Sequence, residues 1–370
     1  METGASIGAT SSQITTMKKT TIASLIAAGC GCASANVNAQ SSITLYGILD
    51  VGIEFANQVV QAQRSASAVR EQSGNLAGSR WGFKGSEDLG GGYKAVFVLE
   101  SGFNVNNGAL GQGGRLFGRK AFAGISTPYG TVTLGRHQNL LYELMYRYDP
   151  LTLNPSYSAQ AMDAQLVNRA DNSVRYGVQA AGVTFAALYS SGYDSTIPNG
   201  ANVPGATKVG REMSATLTYD RGPVSAGVTY DQLQGTSIAT QSNTQKRAMF
   251  GVSYDFRPVT VLAGLRWLNV SNTSSPASSM LYWGGVNYRV TPPLLISAGV
   301  YHTQYRNPHG GPTMGILLVD YSLSKRTELY AEGAYVSNAS FSTVGIRGAG
   351  NDVTPGADQS GVTIGIRHLF

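Results

Sequence analysis

The sequence predicts an all-β fold, a transmembrane antiparallel β-barrel of sixteen strands, on three observations. Side chains alternate between apolar and polar through most of the chain, and a period of two is the spacing of β-strands. The connections between these segments alternate between tight turns and longer polar loops. Only 13% of the residues are charged, whereas the chain contains 46 Gly and 20 Tyr, which suits half-buried strands better than helices.

A leader is predicted over residues 1–39. Met17 and two lysines precede the apolar run 22–28, and small residues follow as far as Ala39, which is the pattern of a secretory signal peptide. The apolar run is too short to cross a bilayer, which takes about 20 residues. We interpret Met17 as the true start, 17–39 as a cleaved signal peptide and 40–370 as the mature barrel domain.

The first strand shows the alternation clearly. Between Ile43 and Phe55 the apolar side chains share one face, and Thr44, Asp50 and Glu54 lie on the other. The C-terminal segment alternates in the same way and ends on an aromatic residue. These two segments predict strands with one apolar face and one polar face.

The connections set the predicted strand number. Seven tight turns, rich in Gly and Pro, separate eight longer loops, of which the first is Val59 to Gly78 and the third is His137 to Asn168. Short turns at one end and long loops at the other are typical of an outer-membrane barrel. Counting the segments between them predicts sixteen strands.

Aromatic residues near the strand ends favour a membrane barrel over a soluble sandwich. A bilayer places aromatic side chains at its two interfaces, and lipid requires a closed sheet because no edge can stay unpaired. The aromatic residues in such positions are Phe55, Tyr189, Tyr219, Tyr230, Tyr254, Phe256, Tyr288, Tyr321 and Tyr335.

The third loop differs from the rest of the chain. Pro150 and Pro155 exclude a central strand, and the segment is rich in Tyr, Leu and Met, so we expect it to pack against other parts of the protein. A long strandless insertion in a compact domain is usually functional or disordered. We therefore predict that the segment of about 138–168 folds into the barrel lumen and narrows it.

Several motifs together resemble a known family. They are Ser42–Gly47, Ser79–Gly92, Leu99–Phe103, Gly118–Gly124, Tyr129–Arg136, Asn168–Tyr176 and Ile366–Phe370. In these segments the chain resembles the general, non-specific porins of Gram-negative bacteria, in the branch found in β-proteobacteria. The resemblance implies a sixteen-stranded homotrimer in the outer membrane that lets ions and small hydrophilic solutes diffuse passively, with the third loop folded inward.

The resemblance also implies which residues line the pore constriction. The basic wall positions that match the family are Arg80, Arg119 and Arg169, and Lys84 shares a strand face with Arg80 by parity. Opposed charges across a narrow water path create a transverse field and bias ion passage. The acidic loop positions that match, the last more loosely, are Glu143, Asp149 and Asp163.

Other expectations follow from the same resemblance. Phe370 is expected to be an assembly signal for the outer-membrane insertion machinery, with outer-membrane lipid around the barrel. Some family members carry a further basic residue where this chain has Ile48, so ion selectivity stays open, with a lean towards mild anion preference. Periodicity alone favours solvated or locally ion-paired charges at Arg80 and Arg119, and the motif match favours the pore wall. Glu143 and Asp149 could be surface or turn acids.

Other functional classes have weaker support. A sugar- or anion-specific channel would use aromatic residues along the lumen, to which Tyr142, Tyr146, Tyr148 and Tyr157 could contribute. A barrel-embedded hydrolase is disfavoured because His137 stands without a nucleophile motif, and a surface adhesin stays possible.

Cofactor, metal and nucleic-acid binding are not expected. Both cysteines, Cys30 and Cys32, fall in the leader, the four histidines are scattered, and the net charge of +6 includes no dense basic block. We therefore predict a protein that is not an enzyme and that binds neither a metal ion nor nucleic acid.

Overall fold

A computed structural model of the chain describes residues 42–61, 64–197, 200–273, 277–347 and 353–370. The predicted leader over 1–39, with its signal peptide and cleavage site, lies outside the described residues. None of the described helices is long and apolar enough to cross a bilayer.

Seventeen antiparallel strands form one sheet. They are β1 Ser42–Gln61, β2 Arg64–Ser73, β3 Arg80–Gly90, β4 Tyr93–Gly102, β5 Lys120–Thr127, β6 Gly130–Gln138, β7 Arg169–Ala180, β8 Val183–Ser190, β9 Glu212–Arg221, β10 Val224–Gln234, β11 Thr244–Asp255, β12 Val259–Ser271, β13 Ala277–Thr291, β14 Leu294–Tyr305, β15 Thr313–Ser322, β16 Thr327–Ser337 and β17 Gln359–Leu369.

The sheet closes on itself through β1 and β17. Their register runs from Ile48 opposite Leu369 to Ala56 opposite Gly361. On its other side, β1 pairs first with β3 and then, from Val51 onwards, with β2. Because β2 and β3 occupy one strand position in two pieces, the closed barrel has sixteen strand positions, which confirms the predicted fold class.

The interruption between β2 and β3 corrects the predicted first loop. The range 59–78 was expected to be a loop, but β1 continues to Gln61 and β2 fills Arg64–Ser73. The break falls instead just after Ser73, where Oδ2 of Asp50 accepts hydrogen bonds from the backbone N–H groups of Leu76 and Ala77, each at 2.7 Å. The buried carboxylate of Asp50 therefore accepts from backbone N–H groups that have no partner in the sheet at this break.

The two faces of the barrel follow the predicted alternation. Ile43 and Ile53 on β1 are exposed on the outer surface, whereas Asp50 and Glu54 on the opposite face of the same strand are fully buried. Exposed Val, Leu, Ile, Tyr and Phe side chains recur at alternate positions on the other strands. This outer face is the apolar band that a bilayer requires.

The third loop forms a core inside the barrel. His137 and Gln138 still belong to β6, and Asn139 caps helix α1 (Leu140–Tyr148) by accepting from the Tyr142 N–H at 3.0 Å. α1 contacts β8 to β12, and the rest of the loop contains two short 3-10 turns. Buried loop and wall side chains form one cluster, which includes Leu141, Leu144, Met145, Tyr148, Leu151, Tyr157, Leu166, Met249, Leu281, Trp283, Tyr301, Met314 and Ile316.

Two pairs of wall glycines receive this loop. Gly227 and Gly251 are register partners on β10 and β11, and a Cβ atom on Gly251 would lie 2.5 Å from the Tyr148 ring. Gly285 and Gly299 are partners on β13 and β14, and a Cβ on Gly285 would lie 2.6 Å from Cγ of Pro150. The missing side chains make room for the loop to lie close to the backbone of the wall.

Polar contacts hold the second half of the loop. Asn154 donates from Nδ2 to Glu332 on β16 at 2.9 Å, and the Tyr157 hydroxyl donates to Glu54 on β1 at 3.1 Å. The Ser156 hydroxyl donates to Oδ1 of Asn75 at 2.9 Å. The loop thus contacts opposite sides of the inner wall, which confirms that it folds into the lumen.

The glycine pairs predict a specific defect. Gly251→Val should displace the Tyr148 ring and loosen the loop at a cost of about 1–3 kcal/mol, because the new side chain overlaps a packed aromatic residue. Limited proteolysis of the folded, detergent-solubilised barrel should then cut within 139–168 faster than in the wild type. Gly315→Val is the matched control, since a Cβ there meets nothing within 4 Å. Equal cleavage of the two variants would contradict the proposed packing of Tyr148 against Gly251.

Candidate functional site

Helix α1 presents one side to the open lumen. Leu140, Leu141, Leu144, Met145 and Tyr148 are buried against the wall. The remaining side chains, Tyr142, Glu143, Tyr146 and Arg147, form what we call the lumen face of α1. The spacing of 142 and 146 places both tyrosines on the same side of the helix.

Three arginines form a basic surface, which we call the arginine wall. Arg80 is the first residue of β3, Arg119 precedes β5, and Arg169 is the first residue of β7. Arg119 is within electrostatic range of both others. The structure therefore brings together the three wall arginines that the sequence analysis selects.

The arginine wall is only partly neutralised. Nε of Arg119 donates to Oε1 of Glu100 at 2.7 Å. Arg80 donates instead to the backbone oxygen of Gly78 at 2.8 Å, and Arg169 donates to that of Arg119 at 3.2 Å. Within the described ranges, Arg80 and Arg169 therefore have no carboxylate in salt-bridge contact.

Lys84 lies apart from this cluster. It is on the same face of β3 as Arg80, closer to the β3–β4 turn, and its side chain is exposed. Its ammonium group stands 5.5 Å from the centre of the Tyr46 ring, and the Tyr46 hydroxyl donates to Glu100 at 2.9 Å. Lys84 therefore shares a strand face with Arg80, but its side chain lies outside the cluster of Arg80, Arg119 and Arg169.

Two tyrosines of α1 face the arginine wall. Burial raises the pKa of the Tyr142 hydroxyl, while the charges of Arg80, Arg119 and Arg169 act to lower it. The rings of Tyr142 and Tyr146 stack with their centres 5.6 Å apart and their planes 25° apart. Tyr146 is 51% exposed, so about half of its side chain is open to solvent.

Glu143 is engaged by the barrel wall. Its carboxylate accepts two hydrogen bonds from Arg175 on β7, at 3.1 Å from Nε and 2.9 Å from Nη2. Arg147 forms a second ion pair, with Asp220 on β9. Glu143 therefore lies on the lumen face of α1, but its charge is neutralised by Arg175.

Asp149 does not reach the lumen. It is fully buried, its Oδ1 accepts from the Tyr301 hydroxyl at 2.6 Å and from the Leu151 N–H at 2.8 Å, and its Oδ2 has no partner in the described structure. Burial raises the pKa of its carboxyl to about 6. The family resemblance places this acid opposite the arginine wall, but the turn before Pro150 directs it into the packed core.

Asp163 anchors the loop to the wall. It is buried and forms two hydrogen bonds of 2.9 Å with Arg247 on β11, and its Oδ2 lies 3.1 Å from Nε of Arg266 on β12. Burial opposes its ionisation, but the charges of Arg247 and Arg266 outweigh this effect and hold its pKa at about 2. Asp163 is thus paired with Arg247 and Arg266 of the barrel, and not with the arginine wall.

Sequence reasoning missed several of these partners. Arg175, Arg247 and Arg266 were not selected, although Arg175 and Arg266 each stand between two apolar residues in the sequence, which was the available signal. Of the four loop tyrosines considered, Tyr148 and Tyr157 are fully buried.

At the chain end, Gly47 and Phe370 exchange backbone hydrogen bonds of 3.0 and 3.1 Å, and the role of Phe370 in assembly stays a prediction. The described residues contain no group of three or more His, Cys, Asp or Glu side chains that could hold a metal ion.

Comparisons with known proteins give consistent matches. A family model described as Gram-negative porin matches residues 21–340. An outer membrane porin protein of Bordetella pertussis is 32% identical, covering 96% of this chain and 100% of its own length. Outer membrane porin protein 32 of Delftia acidovorans is 28% identical with the same coverage.

A solved structure matches as well. The anion-selective porin from Comamonas acidovorans superimposes with a TM-score of 0.77 at 26% identity, over 90% of this chain and 100% of that one. The similarity therefore extends over nearly the whole described barrel.

The two buried loop acids predict opposite effects of the same substitution. Asp163→Asn should destabilise the folded barrel by about 3–5 kcal/mol, because it leaves Arg247 and Arg266 buried without a counter-charge. Asp149→Asn should be neutral or stabilising near neutral pH, because the amide keeps an oxygen for the Tyr301 hydroxyl and removes a buried charge. Thermal unfolding midpoints in one detergent would compare them, and equal midpoints would count against this assignment.

The two pKa shifts also predict opposite pH dependence. The pKa of Asp163 lies below its ordinary value of 3.8, so its stabilisation is complete above about pH 4 and is lost as the pH falls towards 2. The pKa of Asp149 is raised to about 6, so its contribution is complete below about pH 4 and is lost as the pH rises through 6. The advantage of Asp149→Asn over the wild type should therefore disappear on going from about pH 7.5 to about pH 4 in the same assay.

Proposed function

Because the chain belongs to the Gram-negative porin family, we propose that it forms a passive channel for ions and small hydrophilic solutes, with mild anion preference. The protein is an outer-membrane porin, a channel and not an enzyme. The proposed constriction is the gap between the arginine wall and the lumen face of α1.

The observation that carries this proposal is an imbalance of charge across that gap. On the wall side, Arg80 and Arg169 have no carboxylate in salt-bridge contact within the described residues. On the loop side, Glu143 is paired with Arg175 and Asp163 with Arg247. Positive charge that faces a narrow water path without a compensating acid favours the entry of anions.

This proposal changes the arrangement that the family resemblance implied. In that arrangement, loop acids stand opposite wall arginines and create a field between two signs of charge. Here the side opposite the arginine wall carries the aromatic pair Tyr142 and Tyr146. The similarity to the anion-selective porin from Comamonas acidovorans supports the sign of the proposed preference.

A sugar-specific channel is the weaker alternative. It would need a file of aromatic residues along the lumen, but Tyr148 and Tyr157 are buried in the loop core and only Tyr142 and Tyr146 remain. We further propose, from family membership, that the functional form is a homotrimer surrounded by outer-membrane lipid. Export through the cleaved leader and assembly through Phe370 belong to the same proposal.

Reversal potentials test the role of the arginine wall. In a planar bilayer with a potassium chloride gradient, the wild type should favour chloride, and Arg80→Gln and Arg169→Gln should each reduce that preference by about twofold. Arg326→Gln is the matched control, since Arg326 is exposed in the β15–β16 turn and should leave the reversal potential unchanged. Cation preference in the wild type, or equal effects of all three variants, would contradict the proposal.

Glu143 offers a second test of opposite sign. Glu143→Gln should strengthen the chloride preference, because it releases Arg175 as an uncompensated positive charge beside the lumen. Arg175→Gln should weaken it by exposing the carboxylate. The same reversal-potential measurement would reveal both shifts, and a shift in the same direction for the two variants would be inconsistent with this pairing.

A further inference from the structure

The lumen combines unpaired cationic groups with an open aromatic surface. Arg80 is within electrostatic range of both Tyr142 and Tyr146, and Arg169 is within range of Tyr142. The Tyr146 ring stacks on Tyr142, and about half of its side chain is exposed. Because Arg80 interacts electrostatically with both tyrosines and Arg169 with Tyr142, the basic groups and the aromatic pair lie in one region of the lumen.

Each feature selects a different part of a solute. A guanidinium group binds a carboxylate through two parallel hydrogen bonds, and Arg80 and Arg169 are available for such contacts because neither is held by an acid in the described structure. A half-exposed tyrosine ring offers a flat apolar surface on which another ring can stack. A chloride ion uses only the first feature, and a neutral sugar uses only the second.

We propose that the channel preferentially binds monocyclic aromatic carboxylates, with the carboxylate at Arg80 and Arg169 and the ring on Tyr146. This inference rests on the proposed function, because it takes the same gap as the permeation path. The stack beneath Tyr146 makes the site more rigid, since Tyr142 fixes one side of the ring before a solute arrives. A preorganised surface loses less side-chain freedom when a ligand binds.

The wild-type channel can test this class of solute directly. Benzoate and cyclohexanecarboxylate carry the same charge on rings of similar size, but only benzoate is aromatic and flat. Added to a bilayer that conducts potassium chloride, benzoate should reduce the current at a concentration about fivefold lower, a factor that corresponds to about 1 kcal/mol of aromatic contact. Benzyl alcohol, which has the ring without the charge, should block weakly.

Three variants locate the effect. Tyr146→Leu should abolish the difference between benzoate and cyclohexanecarboxylate, whereas Tyr146→Phe should retain it because the ring face is kept. Tyr282→Leu is the matched control, since Tyr282 is equally large and is exposed on the outer face of β13 between the buried residues Leu281 and Trp283. It should leave the fivefold difference intact.

The outcomes separate this inference from the proposed function. A wild-type channel without chloride preference would overturn the proposed function. A wild-type channel that favours chloride but is blocked equally by benzoate and cyclohexanecarboxylate would overturn only the aromatic inference. The aromatic inference is also overturned if Tyr146→Leu preserves the difference between benzoate and cyclohexanecarboxylate. If Tyr146→Leu does not fold, the comparison of the two solutes in the wild type and in Tyr146→Phe tests the inference instead.

Discussion

The arrangement of the lumen depends on how residues 139–168 are held against the inner wall. A segment of this length inside a barrel must bury its apolar side chains and satisfy its polar groups without a strand partner of its own. The wall provides two pairs of glycines, under Tyr148 and Pro150, and a buried ion cluster around Asp163. These contacts lie on different strands, so the loop is fixed at several points rather than by one hinge.

This anchoring determines the charge of the lumen. Arg175 on β7 neutralises the loop acid Glu143, and Arg247 on β11 and Arg266 on β12 neutralise Asp163. The third loop acid, Asp149, is buried in the core. The arginine wall on the other side of the gap is left with only Glu100 as a salt-bridge partner among the described residues. The mechanical role of the acids and the electrostatic role of the arginines are therefore linked, because each acid that anchors the loop no longer opposes the arginine wall.

Much of the fold could be predicted because it depends on local alternation. The strands at both ends of the chain, the turns and the inward loop follow from spacing and from Gly and Pro positions. β2 escaped prediction because Arg64–Ser73 is largely polar and has no apolar face to mark it as a strand. The helix inside the loop was also missed, although Asn139, Glu143 and Arg147 are placed as capping and dipole rules favour.

The partners in the site could not be predicted because they are distant in sequence. Asp163 and Arg247 are 84 positions apart, and Glu143 and Arg175 are 32 apart, so spacing does not indicate that they meet. The three wall arginines were found through family motifs, and Asp149 shows how a matching acid can serve the core instead. The role of Gly251 depends on a ring more than a hundred residues earlier, and nothing near that glycine distinguishes it from the others.

If uncompensated arginines set the field at the constriction, the ion selectivity of the wild-type channel must depend on the salt concentration. Lowering the salt from about 1 M to about 0.01 M lengthens the Debye length from about 3 Å to about 30 Å and so removes the screening of fixed charges. We expect a chloride preference that grows steadily over this range. A preference that does not change, or that turns towards potassium at low salt, would contradict it.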